Sequence, residues 1–429
     1  MPAVNSKPEN GTMQLTKKQK SALQQLRNLV FLNLFSWLMM IPARPEMVLR
    51  ITNNNPVQTS QILGLMTAGA GLFEFLSTQV FGRVSDKIGR KPALLTCTGT
   101  CFIFRFLDYL LCDGGYASVV TANWLDRLFA GACFPALLTV ASASIGDQIE
   151  GKLLVNEGAV TAIYAGLGIM LGPWVGAQVL GYTGNPKYTA LTASLCSLAT
   201  FAYIYFQCDE TLDEDKRRDI DWKACNPFRF LQLFQGNEVM MLLSRTLFLQ
   251  SIVNDMHDVR MVLLKTKVGL TPYQTGTYML GNGLSYLCGG WVAKKTLDYL
   301  GMFGHTSLCH IVFVWTMYMW GGASKWYHVA LALVGDTLAN KKGIATDALL
   351  QTQCYEAGYG KGETNAMIRN MGNVCKILGP YTFTLMFGRF GQFSPFLVGS
   401  VAVGIAQMLM MSGNGKKAFT FQKKKKDTK

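Results

Sequence analysis

The sequence predicts an all-α polytopic membrane protein, and three observations predict it. Half of the 429 residues are hydrophobic and only 15% are charged, where a soluble chain carries about 25% charge. Twelve stretches approach the ~20 largely apolar residues that a helix needs to cross a bilayer. One long polar gap divides them six and six. Disorder is excluded, since disordered chains are poor in large apolar residues. The eleven cysteines are scattered through apolar runs with no CxxC pair and no Cys/His zinc spacing. They read as small buried hydrophobes, and neither a metal nor a cofactor is expected.

In order, the spans are residues 28–50, 59–81, 92–111, 119–144, 157–181, 188–207, 238–263, 272–293, 305–322, 327–350, 364–387 and 394–412. The gap at 208–237 carries Asp213, Glu214, Asp215, Lys216, Arg217, Arg218 and Asp219. The expected organisation is a basic tail (1–27), a six-helix half (28–207), a charged linker (208–237), a second six-helix half (238–412) and a Lys-rich tail (413–429). The tenth span is the most polar, with Asp336, Asn340, Lys341, Lys342 and Asp347, and its limits are the least sharply drawn. Polar groups at this depth must face protein or a water-filled cavity.

The formal charge of +14 invites a nucleic-acid reading until it is placed along the chain. Residues 1–27 contribute +4 and residues 413–429 contribute +6. The body is nearly neutral and the ends are basic, as suits anionic lipid, and no nucleic-acid partner is expected. Placing both termini in the cytosol puts 25 Lys/Arg on the inner segments and 6 in the outer loops, the bias that sets orientation. The first apolar run starts only at Leu29, so no signal peptide is expected. The sequon Asn10-Gly11-Thr12 would then stay unmodified on the cytosolic side. The sequence does not say which membrane.

The halves echo each other. Gly172-Pro173 recurs as Gly379-Pro380, 207 residues later, and Gly82 has Gly290 at an offset of 208. Adding 208 to Arg44 and Glu46 lands beside Asn254, Asp255, His257 and Asp258. Parallel repeats joined by a linker place a substrate site between them near the midplane.

The loop after the second span reads Gly82-Arg83-Val84-Ser85-Asp86-Lys87-Ile88-Gly89-Arg90-Lys91-Pro92. Glycines permit a tight turn, and Asp86 can sit at the positive end of a neighbouring helix. The basic residues Lys87, Arg90 and Lys91 can bridge carboxylates of the other half and hold the inner side shut. The pattern resembles G-x-x-x-D-[RK]-x-G-[RK]-[RK], the loop signature of the major facilitator superfamily. Lipid electrostatics alone asks for charge but not for this spacing of glycine and aspartate.

Further stretches resemble the twelve-helix drug/proton antiporters of that superfamily. Arg127-Leu128-Phe129-Ala130-Gly131 is similar to the R-x-x-x-G of the fourth helix, where the arginine is tied to proton coupling. Gly168, Gly172, Pro173 and Gly176 resemble the fifth-helix antiporter motif, which bends and packs closely; Ala177 replaces its last glycine and Ala159 its leading one. Asp209-Glu210-Thr211-Leu212 resembles P-E-T-L, and Asn226-Pro227-Phe228-Arg229 the lead into the seventh helix. In the second half the loop signature has decayed to Lys294 and Lys295 after Gly290. The resemblance implies a major facilitator fold of twelve helices in two halves, moving a small solute by alternating access. Proton-coupled efflux of a drug-like molecule or metabolite is the first reading. A facilitative or symport carrier of an organic anion or sugar is the second, and a transporter-fold receptor or scaffold the third. No hydrolase elbow, phosphate loop or metalloprotease motif is present, so an enzyme is not expected. A monomer in lipid, with protons as the coupling ion, is.

Ionisable groups inside a bilayer are costly and usually functional. The proton-coupling candidates are Arg127, Glu74, Asp126, Asp255 and Asp258, with Glu74 and Asp126 as the carboxylates that Arg127 would hold ionised until a proton or substrate competes. Glu74 lies beyond the small-residue face Gly64, Ala68 and Gly71, and a lysine or arginine partner is its alternative role. The substrate-cavity candidates are Arg44, Glu46, His257, Lys341, Arg369 and Lys376. Arg44 and Glu46 flank Pro45, where the helix should bend. Asp255, His257 and Asp258 suggest an outer gate or coupling site rather than a metal site, since three neighbours within four residues cannot share one helix face. Arg260 is their expected partner, or else an interfacial group. Lys341, Lys342, Arg369 and Lys376 would make the cavity positive unless they pair with Asp336, Asp347 and Glu74, as buried charges generally must.

Overall fold

The computed structural model describes residues 16–149, 151–217, 226–413, 415 and 419. The sequon at Asn10, most of the basic N-terminal tail, the linker charges Arg218 and Asp219 and nearly all of the Lys-rich tail lie outside these, as does the side chain of Ala159. Every regular element among the described residues is helical.

A capping box starts α1 (Lys17–Leu38): Thr16 Oγ1 accepts from the Gln19 N–H and Gln19 Oε1 accepts from the Thr16 N–H, satisfying two donors that a helix start leaves free. The chain turns at 39–42 and resumes as α2 (Ala43–Ile51). The bend therefore precedes Pro45. Pro45 sits in the first turn of α2, where an amide N–H has no helical acceptor to lose. Asn55 caps α3 (Pro56–Ile88). Only Gly89, with φ of 102°, separates α3 from α4 (Arg90–Leu111), a conformation that a side chain rarely adopts.

Next, α5 (Tyr116–Leu125) runs through a π turn at Asp126–Ala130 into α6 (Gly131–Gly146), followed by α7 (Gly151–Thr183) and α8 (Pro186–Gln207). After the 3₁₀ segment Pro227–Phe234 come α9 (Glu238–Ile252) and α10 (His257–Leu263), broken at 253–256. The long α11 (Pro272–Gly321) is interrupted at Gly301, φ 70°. A second break at 340–343 separates α12 (Trp326–Ala339) from α13 (Ile344–Glu356); α14 (Lys361–Phe390) and α15 (Ser394–Met411) complete the set.

Among the described residues, seven helical runs are long and apolar enough to cross a membrane: Gln19–Ile51, Arg90–Leu111, Tyr116–Gly146, Val160–Thr183, Pro186–Gln207, Pro272–Gly321 and Ser394–Met411. The spans expected at 59–81, 238–263, 327–350 and 364–387 are helical but not among the seven. Two of them are broken into shorter helices, and all four carry interior charges described below.

Close backbone packing repeats along the chain. A Cβ at Gly172 in α7 would stand 2.6 Å from the Phe35 carbonyl of α1, and one at Gly379 in α14 would stand 2.6 Å from the Ile252 carbonyl of α9. Gly168 and Gly176 lie against the same face, next to Leu34 and Met39. Ala177 meets Gly276 of α11, so the glycine missing from the α7 motif is supplied by the opposing helix. Gly64 and Gly71 of α3 lie under Thr384 and Ile377 of α14, a small-residue face of the kind that lets membrane helices approach.

Candidate functional site

A central cavity of about 290 Å³ is walled by the α1–α2 break, α3, the α5–α6 π turn, the α9–α10 break and α14. Of the residues singled out in the sequence, Arg44, Glu74, Arg127, Asp255, His257, Asp258 and Lys376 line it. Helical geometry had argued against Asp255, His257 and Asp258 sharing one face. They do share the cavity, because Asp255 belongs to the break and α10 begins only at His257.

Arg127 grips Asp258 with both terminal nitrogens, Nη2 to Oδ1 at 3.0 Å and Nη1 to Oδ2 at 3.3 Å. The Thr67 hydroxyl also donates to Oδ2. Neither expected partner of Arg127 holds. Asp126 points away, as consecutive helical residues do, and pairs with Arg44, with Arg105 Nε 4.0 Å away. Glu74 pairs with Lys376, whose Nζ lies 3.0 and 3.2 Å from the two carboxylate oxygens. Asp255 has no hydrogen bond or ion pair among the described residues, and His257 Nε2 is buried without a partner.

Three cavity candidates stand elsewhere. Glu46 pairs with Lys265 and lies 3.7 Å from Arg50, beside a separate cavity of about 390 Å³. Lys341 stacks 4.0 Å from the Tyr286 ring. Arg369 donates to Thr139 Oγ1 at 2.9 Å. Lys341 falls in the 340–343 break, and Arg369 stands two turns from the cavity-lining Lys376 on α14, positions that the sequence does not show. Arg260 pairs with Asp336 at 3.1 Å rather than with Asp255 or Asp258, and its guanidinium lies 4.9 Å from the Trp320 ring. Asp347 accepts from Gln351, not from a lysine.

The loop at the α3–α4 junction is tied locally. Asp86 pairs with Arg90 at 2.6 Å, and Arg90 reaches Asp147 at 3.0 Å and Ser85 Oγ at 2.7 Å. Glu210 accepts from the Arg90 and Lys91 amides at 2.9 and 3.1 Å. The acid at the positive end of α4 is therefore Glu210, not Asp86. Lys91 Nζ donates to the Tyr205 carbonyl. The bridges made by Arg90 and Lys91 stay within residues 85–210 and do not reach the later helices.

The comparison with known families decides what this architecture is. A model described as Major Facilitator Superfamily matches residues 28–380. The chain belongs to the Major Facilitator Superfamily. It is accordingly an integral multi-pass membrane protein with the superfamily's all-α fold. Hippocampus abundant transcript-like protein 1 of Bos taurus is 26% identical over 228 residues, covering 51% of this chain and 42% of that protein. The match thus spans less than half of that relative's length. The class B tetracycline resistance protein of Escherichia coli is 23% identical over 346 residues, covering 76% of this chain and 78% of its own. Among solved structures, the human organic anion transporter MFSD10 superposes with a TM-score of 0.65 at 16% identity, covering 92% of this chain and all of that one. A variant of the nucleoside transporter NupG reaches 0.74 at 11% identity, over 91% and 99%.

The buried charges Arg105, Asp108 and Glu157 were not singled out in the sequence, and Glu157 pairs with Arg27. Arg105 and Asp108 in α4 are 0% and 1% exposed. Arg105 donates to Ser36 Oγ at 3.1 Å and to Ser197. Both Asp108 oxygens are buried without a hydrogen-bond donor among the described residues. The signal was in plain view: two ionisable residues three apart inside an otherwise apolar run, the pattern that marks function in a membrane helix.

Proposed function

We propose that the protein is a proton-coupled efflux carrier of a drug-like molecule or metabolite, working by alternating access. The observation that carries this reading is the Arg127–Asp258 grip at the central cavity with the unpaired Asp255 beside it. A proton arriving on Asp258 cancels the charge that Arg127 holds and frees the arginine. Substrate and proton then compete for one cluster, which is what antiport needs. The name of one relative, an enterobactin exporter 30% identical over 125 residues, agrees in direction.

The topology belongs to the same proposal: twelve spans in two halves, 28–207 and 238–412, joined by 208–237, with both termini cytosolic. Glu46 to Lys265 would latch the outer side, and the α3–α4 loop would brace the inner side. In a cysteine-free background, Gly115→Cys should label only from outside and Gln232→Cys only from the cytosol. Labelling of both from one face breaks the arrangement.

Reconstituted protein tests the coupling, with a substrate taken from an untargeted metabolite comparison of cells with and without the protein. An imposed pH gradient should drive accumulation, and a protonophore should collapse it. Accumulation that ignores both overturns antiport and leaves facilitated transport.

A further inference from the structure

A second cavity of about 290 Å³ opens on the other side of the α9–α10 break, between α9, α13 and α14. Lys342, 1% exposed, lines it. Its ammonium donates to Asn254 Oδ1 at 2.6 Å and stands 4.5 Å from the Phe313 ring. Among the described residues no carboxylate reaches it within 4.0 Å. A neutral amide and an aromatic face support a cation but do not balance it, and a buried charge without a counter-ion is costly. In the central cavity the arginines and lysine each have a carboxylate at ion-pair distance; among the described residues Lys342 has none.

Two more features meet at the same wall. Gly343 precedes α13 without a side-chain cap; the Ile344 amide donates to the Lys341 carbonyl at 3.2 Å, and the positive end of that 13-residue helix lies beside the pocket. Gln250, 1% exposed, spends its Nε2 on His310 and the Lys342 carbonyl, while its Oε1 is a buried acceptor with no donor among the described residues. Asp347 also lines the cavity, hydrogen-bonded by Gln351 at 3.3 Å. The pocket thus offers positive charge at one part and lone pairs at another.

We propose that this cavity is a second ligand site, for a small α-hydroxy or α-amino acid. The carboxylate meets Lys342 and the start of α13, and the hydroxyl or ammonium donates to Gln250 Oε1 and Asp347. Asp347 disfavours a second negative charge on the ligand. The site lies outside the central cavity and stands whether or not transport there is coupled to protons.

Calorimetric titration of the full chain in lipid nanodiscs with L-lactate, L-alanine and propionate is the test. Lactate and alanine should bind, and propionate, which has no donor, roughly tenfold more weakly. Lys342→Met should remove measurable binding of all three. Gln250→Leu should erase the preference for lactate over propionate, which a purely structural defect would not do selectively. Asp347→Asn should weaken alanine more than lactate. Monodispersity and the thermal unfolding midpoint establish that each variant is folded; should Lys342→Met not fold, the Gln250 and Asp347 variants decide. Failure of all three acids to bind the native chain overturns the site. So does unchanged binding in folded Lys342→Met, or an unchanged preference order in both Gln250→Leu and Asp347→Asn.

Discussion

The earlier and the later helices each bury an arginine–aspartate pair beside a break, and they surround it differently. Arg44 follows the break at 39–42 and pairs with Asp126; Arg260 follows the break at 253–256 and pairs with Asp336 at 3.1 Å. Each guanidinium lies near a tryptophan, Arg44 6.0 Å from Trp37 and Arg260 4.9 Å from Trp320. Beyond that the environments part. Arg44 lines the central cavity, and its aspartate shares a second arginine, Arg105. Arg260 and Asp336 are not among the residues lining that cavity, and Trp320 Nε1 donates to Asp336 at 3.3 Å. The same kind of buried pair thus occurs twice. Only the copy that touches the cavity can exchange partners with something that enters it.

The largest expected effects separate the copies. Arg260→Met leaves Asp336 buried and unpaired, and should cost roughly 3–5 kcal/mol, since breaking one partner of a buried pair strands the other. Arg260→Met with Asp336→Leu should recover most of that loss in thermal unfolding, and the folded double variant should still transport. Arg44→Met with Asp126→Leu should recover stability equally and should not recover transport. Equal transport in the two double variants would erase the distinction.

Next comes Arg127. Arg127→Ala should abolish pH-driven accumulation and spare counterflow, which needs alternating access but no net proton movement. Measuring both on one reconstituted sample checks this. Loss of counterflow too would make the Arg127–Asp258 grip a structural bridge.

The apolar runs placed the helices because span length and low charge are local properties. Side-chain direction was another matter. It is set by the breaks at 39–42, 253–256 and 340–343, of which the first contains Pro42 and the third the weaker breaker Gly343. The last two contain no proline. Hence Asp255 joins His257 and Asp258 in the cavity, while Glu46 and Lys341 leave it. Partner choice was equally hidden. Asp258 lies 131 residues from Arg127, and nothing in either neighbourhood ranks it above Asp126 next door. The α3–α4 signature was legible, but its anchoring by Asp147 and Glu210 was not, because those carboxylates arrive from distant turns.

The repeated glycines give a medium effect with a symmetric expectation. Gly172→Leu and Gly379→Leu each force a side chain into a carbonyl of the facing helix, and overpacking of this kind costs about 1–3 kcal/mol. The two should lower the unfolding midpoint by similar amounts. A drop confined to Gly172→Leu would mean that only α7 depends on the close approach.

The smallest effects concern the α3–α4 loop and the later stretch after Gly290. Asp86 is partly exposed, with 42% of its side chain accessible, and its pair with Arg90 is a one-turn contact, a class worth only about 0.3–0.5 kcal/mol at a surface. The fold therefore does not depend on it. Its consequence is to hold Arg90 where it also meets Asp147 and Ser85. Asp86→Asn should leave membrane abundance and unfolding unchanged while slowing transport, because a brace that must break and reform each cycle is weakened. Glu210→Gln should slow it further, since Glu210 holds both amides at the start of α4. In the corresponding later stretch Lys295 lies 3.9 Å from the Trp291 ring. Lys295→Ala should change neither abundance nor rate. Transport rates at matched abundance check all three variants. Slowing by Lys295→Ala equal to that by Asp86→Asn would mean that the decayed loop still works as a brace, by stacking instead of by ion pairing.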